Sequence, residues 1–176
     1  MYLSHERMAG RRNMINLPGR LGSLLGSGRR RAQRWQRVVQ HPQATIFSAV
    51  ADVGAYSQFL PWCLSSQVSS HSTGDNGTST MNAEIVVGYG PLSSSFQSVV
   101  ELTPHRRVHA VSSPNEHIEE LSFTWDFAPL GDSACRLDLM LDFCLRKEEH
   151  VLMWELAQDA ISALGSHAIA EQPLKA

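Results

Sequence analysis

The side chains able to do chemistry in this chain do not fall into a working arrangement. Eight histidines, His5, His41, His71, His105, His109, His117, His150 and His167, would serve as general bases or metal ligands. None stands at ligand spacing from a cysteine or carboxylate, so no metal site is predicted. His105 and His109 are close in sequence, but a turn is expected between them. Ser93, Ser94 and Ser95 cluster three hydroxyls with no nucleophile motif around them. The run "VGYGPL" from Val87 has two glycines but neither the dinucleotide nor the phosphate-loop pattern, and reads as a turn. Asp138 and Asp142 share one side of a strand, where solubilising the sheet is the simpler role. Cys135 and Cys144 fall on one strand, whose length between them is about 30 Å. A disulfide needs Cα atoms within about 7 Å, so these two and Cys63 are expected to be buried or half-buried thiols of a reducing compartment. No catalytic residue and no catalytic cofactor follow.

The elements that would hold a site are clearer. Gln33–Gln40 reads as a first strand. Pro42 opens a helix with Ile46, Ala49, Val50 and Val53 at helical spacing, and a second short turn covers Tyr56 to Phe59. About six strand-like runs follow, separated by "GDNG", Pro104, Pro114, Pro129 and "GDS"; the first, "LSSQVSSHS", is weak and polar. Leu121, Phe123, Trp125 and Phe127 alternate with Ser122, Thr124 and Asp126. Cys135, Leu137, Leu139, Leu141 and Phe143 alternate with Arg136, Asp138 and Asp142. Such alternation means one dry and one wet face, and the short connections require antiparallel pairing. From Lys147 to Ala170 the period becomes helical, with Met153, Leu156, Ala157, Ala160 and Leu164 in one stripe. The expected fold is α+β: a helix-grip, with a curved antiparallel sheet of about seven strands around a long C-terminal helix and two short helices after strand 1. The small Ala157 and Ala160 either draw the helix onto the sheet or leave room for an apolar guest.

Hydrophobic residues are 43% and charged residues 18% of the 176, a soluble globular balance. The net charge of −2 hides an asymmetry. Residues 1–37 carry nine Arg and one acid, Glu6; residues 38–176 carry six basic and sixteen acidic side chains. The Arg-rich start, poor in acids and interspersed with Leu, Ser and Gly, reads as a mitochondrial targeting segment. An acidic body is a poor surface for nucleic acid, so none is expected as a partner. Three parts are predicted: residues 1–32 as targeting segment, 33–170 as one domain, and 171–176 as a tail.

The stretch "VADVGAYSQFLPWC" resembles the signature of the coenzyme Q-binding proteins, START-like members of the polyketide cyclase/dehydrase superfamily. The spacing of Tyr56, Phe59, Leu60, Pro61, Trp62 and Cys63 carries the resemblance. "AEIVVGYGPLSSSFQSVVEL" is similar to the family's Val-Gly strand and the next strand with its Phe-x-Ser pair, here Phe96 and Ser98. "LSFTWDFAPL" and "LDLMLDFCL" match the two strands after it. Tyr89, Gly90 and Pro91 depart from the pattern, as does a C-terminal helix with no aromatic residue after Trp154.

The resemblance implies a non-enzymatic carrier of ubiquinone, or of its polyprenylated precursors. Such a carrier sits on the matrix side of the mitochondrial inner membrane and supports coenzyme Q biosynthesis and respiration, with biosynthetic enzymes as further partners. It implies a cavity walled by Phe96, Phe123, Trp125, Leu139 and Phe143 on the sheet, and by Met153, Leu156 and Ala160 on the helix. Phe59, Leu60 and Trp62 would form its mouth, and Leu60 and Trp62 with Trp154 and Ile161 a patch for membrane or partner. Two other functions belong to the wider superfamily: polyketide aromatase/cyclase chemistry, disfavoured by the apolar dry face, and association with the ribosome, disfavoured by the acidic body.

Overall fold

The computed structural model describes residues 29–60, 62–74, 77–89 and 92–147. The predicted C-terminal helix, with Met153, Trp154, Leu156, Ala160 and Ile161, lies outside these, as do residues 1–28 and the 171–176 tail. The elements run β1 (Arg30–Val39), α1 (Gln43–Ala51), a 3-10 turn (Val53–Ala55), α2 (Tyr56–Phe59), then six strands. These are β2 (Cys63–Thr73), β3 (Ser79–Tyr89), β4 (Leu92–Thr103), β5 (Arg107–Ser112), β6 (Ile118–Pro129) and β7 (Cys135–Leu145). All seven strands form one antiparallel sheet in the order β1-β7-β6-β5-β4-β3-β2. Successive strands from β2 to β7 are neighbours, so each connection is a short return. The β6–β7 return uses Gly131 at φ 75, left-handed backbone that costs glycine nothing. Register shifts in β2, between Cys63 and Ser65 and between Val68 and Ser70, and in β6, between Ile118 and Glu120, bend the strands and curve the sheet.

Register assigns every residue to a face. One cross-sheet row runs Thr73, Ser79, Leu102, Val108, Trp125, Leu139, Trp35; the next runs His71, Met81, Val100, Ala110, Phe123, Leu141, Gln33. These inner-face rows carry most of the core. The outer face is polar as expected: Asp138 accepts from Arg34 Nη2 at 3.3 Å, Gln36 Nε2 at 2.6 Å and Arg136 Nε at 3.1 Å. Arg107 donates twice to the Asp126 carboxylate beside it, at 2.7 and 3.1 Å.

β1 begins earlier than the alternation suggests. Arg30, Arg31 and Ala32 pair with Cys144, Phe143 and Asp142, so the strand predicted from Gln33 starts at Arg30. The extra length is held by the ladder to β7 and by Leu145 N bonding Arg29 O at 2.8 Å, with exposed pairs of Arg29 to Glu119 at 2.9 Å and Arg30 to Glu120 beside it. β2 is a full strand despite its polar sequence, because it is an edge strand exposed for most of its length.

The segment after β1 returns across the inner face to the opposite edge. Pro42 caps α1, its carbonyl accepting from Thr45 N and Ile46 N. Ile46, Phe47 and Val50 are buried, and α1 packs on β5, β6 and β7. Gln43 Nε2 ties the start of α1 to Phe127 O at 2.9 Å. Phe47 meets Phe127 edge-on at 5.6 Å and His105 at 5.5 Å, which helps to hold His105 at its positive φ of 57 in the β4–β5 turn.

Tyr56 joins the short helices: its hydroxyl donates to Val50 O at 2.6 Å, and its ring meets Phe59 edge-on at 5.7 Å. Burial, with the nearby Asp52 and Cys63 adding to it, pushes the phenol pKa upward, so Tyr56 stays a neutral donor. Tyr56→Phe is expected to lower stability by about 1 kcal/mol, the net value of one hydrogen bond, read as a shift in urea midpoint with unchanged slope.

Candidate functional site

The inner face carries two apolar clusters. The first gathers Ile46, Phe47, Val50 and Val53 from the helical segment with Met81, Val100, Leu102, Val108, Trp125, Phe127, Leu137 and Leu139 from the sheet. The second holds Ile118, Leu121, Leu141, Phe143 and Leu145, with Trp35, Phe96 and Phe123 packed against it. No α1 residue belongs to the second cluster among the described residues. Trp35 and Phe123 touch both, and mark the boundary between a half sealed by α1 and a half walled by strands.

The predicted site residues divide along this boundary. Phe96, Phe123 and Phe143 come together in the second cluster, while Trp125 and Leu139 belong to the first. Phe59 and Trp62 are half-buried, and neither joins a cluster. Leu60 differs from its expected place. Its side chain is only 2% exposed, so it is not part of an outer membrane or partner patch. Its backbone explains why: Leu60 N bonds Tyr56 O and Leu60 O accepts from Cys63 N, which turns the side chain inward at the end of α2. Trp62 O accepts from Gly88 N at 2.9 Å, fixing the chain to β3 as it enters β2. A Cβ at Gly88 would stand 2.5 Å from Leu64 Cδ1, so the exposed Leu64 side chain would have to shift to accept one.

One polar feature interrupts the apolar wall. Ser98 on β4 and Ser112 on β5 are in register, with their hydroxyl oxygens 2.8 Å apart. Their row reads Val68, Ala83, Ser98, Ser112, Leu121, Phe143, Arg31. Ser112 is 6% exposed. Nearby, Asn115 pins the β5–β6 connection: its Oδ1 accepts from His117 N and Ile118 N, and its Nδ2 donates to Ser94 Oγ at 3.3 Å and Ser95 O at 3.0 Å. Gln33, on the inner face of β1 beside Leu141, has its Oε1 buried with no hydrogen-bond partner among the described residues.

Sequence reasoning did not single out Ser112 or Gln33, and met Ser98 only as half of a family pair. The signal was present: Ser112 is in phase with Val108 and Ala110, and Gln33 with Trp35. A polar residue at the end of an apolar alternation reads as the point where the strand leaves the core, which hides it.

The wall offers little for covalent chemistry. Burial raises the pKa of Cys63, Cys135 and Cys144, and all three are free thiols. No carboxylate or imidazole bonds Ser98 or Ser112 among the described residues. No group of three or more His, Cys, Asp or Glu side chains is placed to hold a metal ion among them either. No described helix is long and apolar enough to cross a membrane.

A seven-stranded curved sheet with this helical segment defines a START-like, helix-grip protein. The Streptomyces aromatase/cyclase Zhui superposes with a TM-score of 0.70 at 18% identity, covering 84% of this chain and 97% of that one. A START superfamily protein of Mycobacterium smegmatis gives 0.64 at 19%, over 79% and 94%. At these identities the likeness is one of fold. Residues 39–165 match the family described as polyketide cyclase / dehydrase and lipid transport, and the chain belongs to that family. Among its relatives, the ribosome association toxin RatA of Pseudomonas aeruginosa is 36% identical over 60% of this chain and 69% of its own length. The mitochondrial coenzyme Q-binding protein COQ10 of Drosophila melanogaster is 31% identical over 65% of this chain, and COQ10 homolog B of Xenopus laevis 33% over 58%. The matched regions make up only 48% and 40% of those two proteins.

Proposed function

We propose that this chain binds a polyprenyl quinone, ubiquinone or its prenylated precursors, against the second cluster, and carries it without transforming it. The observation behind this reading is the composition of that wall. Phe96, Leu121, Phe123, Leu141 and Phe143 form an apolar surface relieved by hydroxyl and amide groups, with Arg31 at its β1 edge. Such a wall suits a greasy guest with a neutral polar head. The names of the two mitochondrial COQ10 relatives support quinone as the lipid. They also favour a mitochondrial site of action, peripheral on the matrix side of the inner membrane, with coenzyme Q biosynthetic enzymes as partners. The half-buried Trp62 remains a membrane contact in this reading, with Trp154 and Ile161 as its proposed companions.

The RatA likeness supports a second reading, attachment to the ribosome, because it covers more than two thirds of that protein. Charge weighs against it. Residues 38–176 carry six basic and sixteen acidic side chains, a balance that repels phosphate. Organic extraction of the purified full chain followed by mass spectrometry separates the readings. Copurified polyprenyl quinone is expected. A polyketide-like molecule would point to cyclase chemistry, and an empty protein that cosediments with ribosomes would overturn the carrier.

A further inference from the structure

We infer that the Ser98–Ser112 hydroxyl pair is the polar anchor of the guest, donating one hydrogen bond to a carbonyl oxygen of its ring. The inference rests on the quinone reading and adds the subsite that would hold the head group. Two serine hydroxyls carry two protons. One is used between them, across 2.8 Å. The second has no acceptor among the described residues, and neither oxygen has any other hydrogen-bond partner there. Ser112 is 6% exposed and Ser98 half-buried, with Leu121 and Phe143 next in the same row, so a guest carbonyl would take the spare proton in a largely apolar setting.

Ala83 precedes Ser98 in the row, and Ala110 stands beside Ser112 in the next row, so β3 to β5 present four short side chains together, at the border between the first cluster, to which Ala83 and Ala110 belong, and the second. The large rings, Phe96, Phe123 and Phe143, stand around this shallow patch rather than on it. A flat ring with an acceptor on its edge fits there, with its face against the aromatic side chains. The required acceptor is a neutral carbonyl, since among the described residues no cation bonds this pair to compensate an anion. Because the mutual hydrogen bond can run in either direction, either serine can present the spare proton, and the anchor tolerates small shifts of the ring.

The test uses the full chain freed of lipid, a short-chain ubiquinone analogue labelled with carbon-13 at its carbonyls, and a polyprenyl hydrocarbon that lacks the ring. Ser98→Ala/Ser112→Ala should weaken quinone binding about three- to tenfold, the span of one neutral hydrogen bond, and leave hydrocarbon binding unchanged, while either single variant keeps one donor and should lose less. Infrared spectra should show one carbonyl band shifted down in the wild type and moved back toward its free position in Ser98→Ala/Ser112→Ala. Ser112→Thr, which keeps a hydroxyl, should retain the shifted band, and it serves as the check should the alanine variants fold poorly. Equal loss of quinone and hydrocarbon binding, or an unshifted carbonyl in the wild type, would overturn the anchor while leaving the carrier standing. Failure of the wild type to bind quinone would overturn both.

Discussion

Phe143→Ala should cost about 3–5 kcal/mol of stability, the range for deleting a fully buried aromatic ring. Phe143 is 0% exposed and stands between Leu121 on β6 and Arg31 on β1, at the centre of the second cluster. Small domains hold only about 5–15 kcal/mol in all, so the variant should melt far lower and unfold at a much reduced urea concentration. Phe96→Ala provides the contrast. Its ring is only partly buried and packs on the same cluster from β4. It should cost about 1–2 kcal/mol, part of what a fully buried side chain contributes, yet weaken quinone binding at least as much. Should Phe143→Ala keep the wild-type midpoint and lose only ligand, the ring would serve as wall without also being core.

The difference between these two phenylalanines was not legible in the sequence, although their strands were. Period two placed Phe143 with Leu137, Leu139 and Leu141, and register confirms that face. How deep each residue sits depends on which part of the face the returning chain covers, and that is a matter of strand order. β1 and β2 are opposite edges of the sheet, so the segment linking them must cross the inner face, and α1 seals the half nearest Leu137 and Phe127. Nothing local to β6 or β7 encodes that crossing.

The same limit explains Leu60. Three large apolar residues at a chain break suggested an exposed lip, a reading that assumes a break faces water. Here the break is held from both sides, by Tyr56 O before it and Gly88 N after it, and that closure turns Leu60 into the protein. Tyr56 too anchors the helices. The residues that make the motif recognisable are therefore largely those that lock α2 to the rest. β1 shows the converse error. Arg30 and Arg31 read with the basic segment before the strand, and the acids that pair with Arg30 and Arg34 lie 90 and 104 residues further along the chain, on β6 and β7.

Leu139→Asp should leave the chain unfolded at neutral pH. Leu139 is 5% exposed, lies between Trp35 and Trp125 in its row, and has no basic side chain opposite it there. Removing the leucine alone costs about 2–5 kcal/mol, and a carboxylate in its place adds the penalty of an unpaired buried charge. Leu139→Asn separates the two parts, because the amide has nearly the shape of the acid and does not ionise. The buried carboxyl of the aspartate variant will have a folded-state pKa raised above the unfolded value of about 3.9. Below that unfolded value both states bind the proton, so the two variants should be equally stable. Above it, only the folded aspartate form keeps its proton, and its stability relative to asparagine should fall by about 1.4 kcal/mol per pH unit until the folded pKa is reached. Chemical denaturation of both variants across acidic pH measures that divergence. Parallel curves would mean that position 139 is wetter than its burial indicates, and that water already enters the inner face between Trp35 and Trp125.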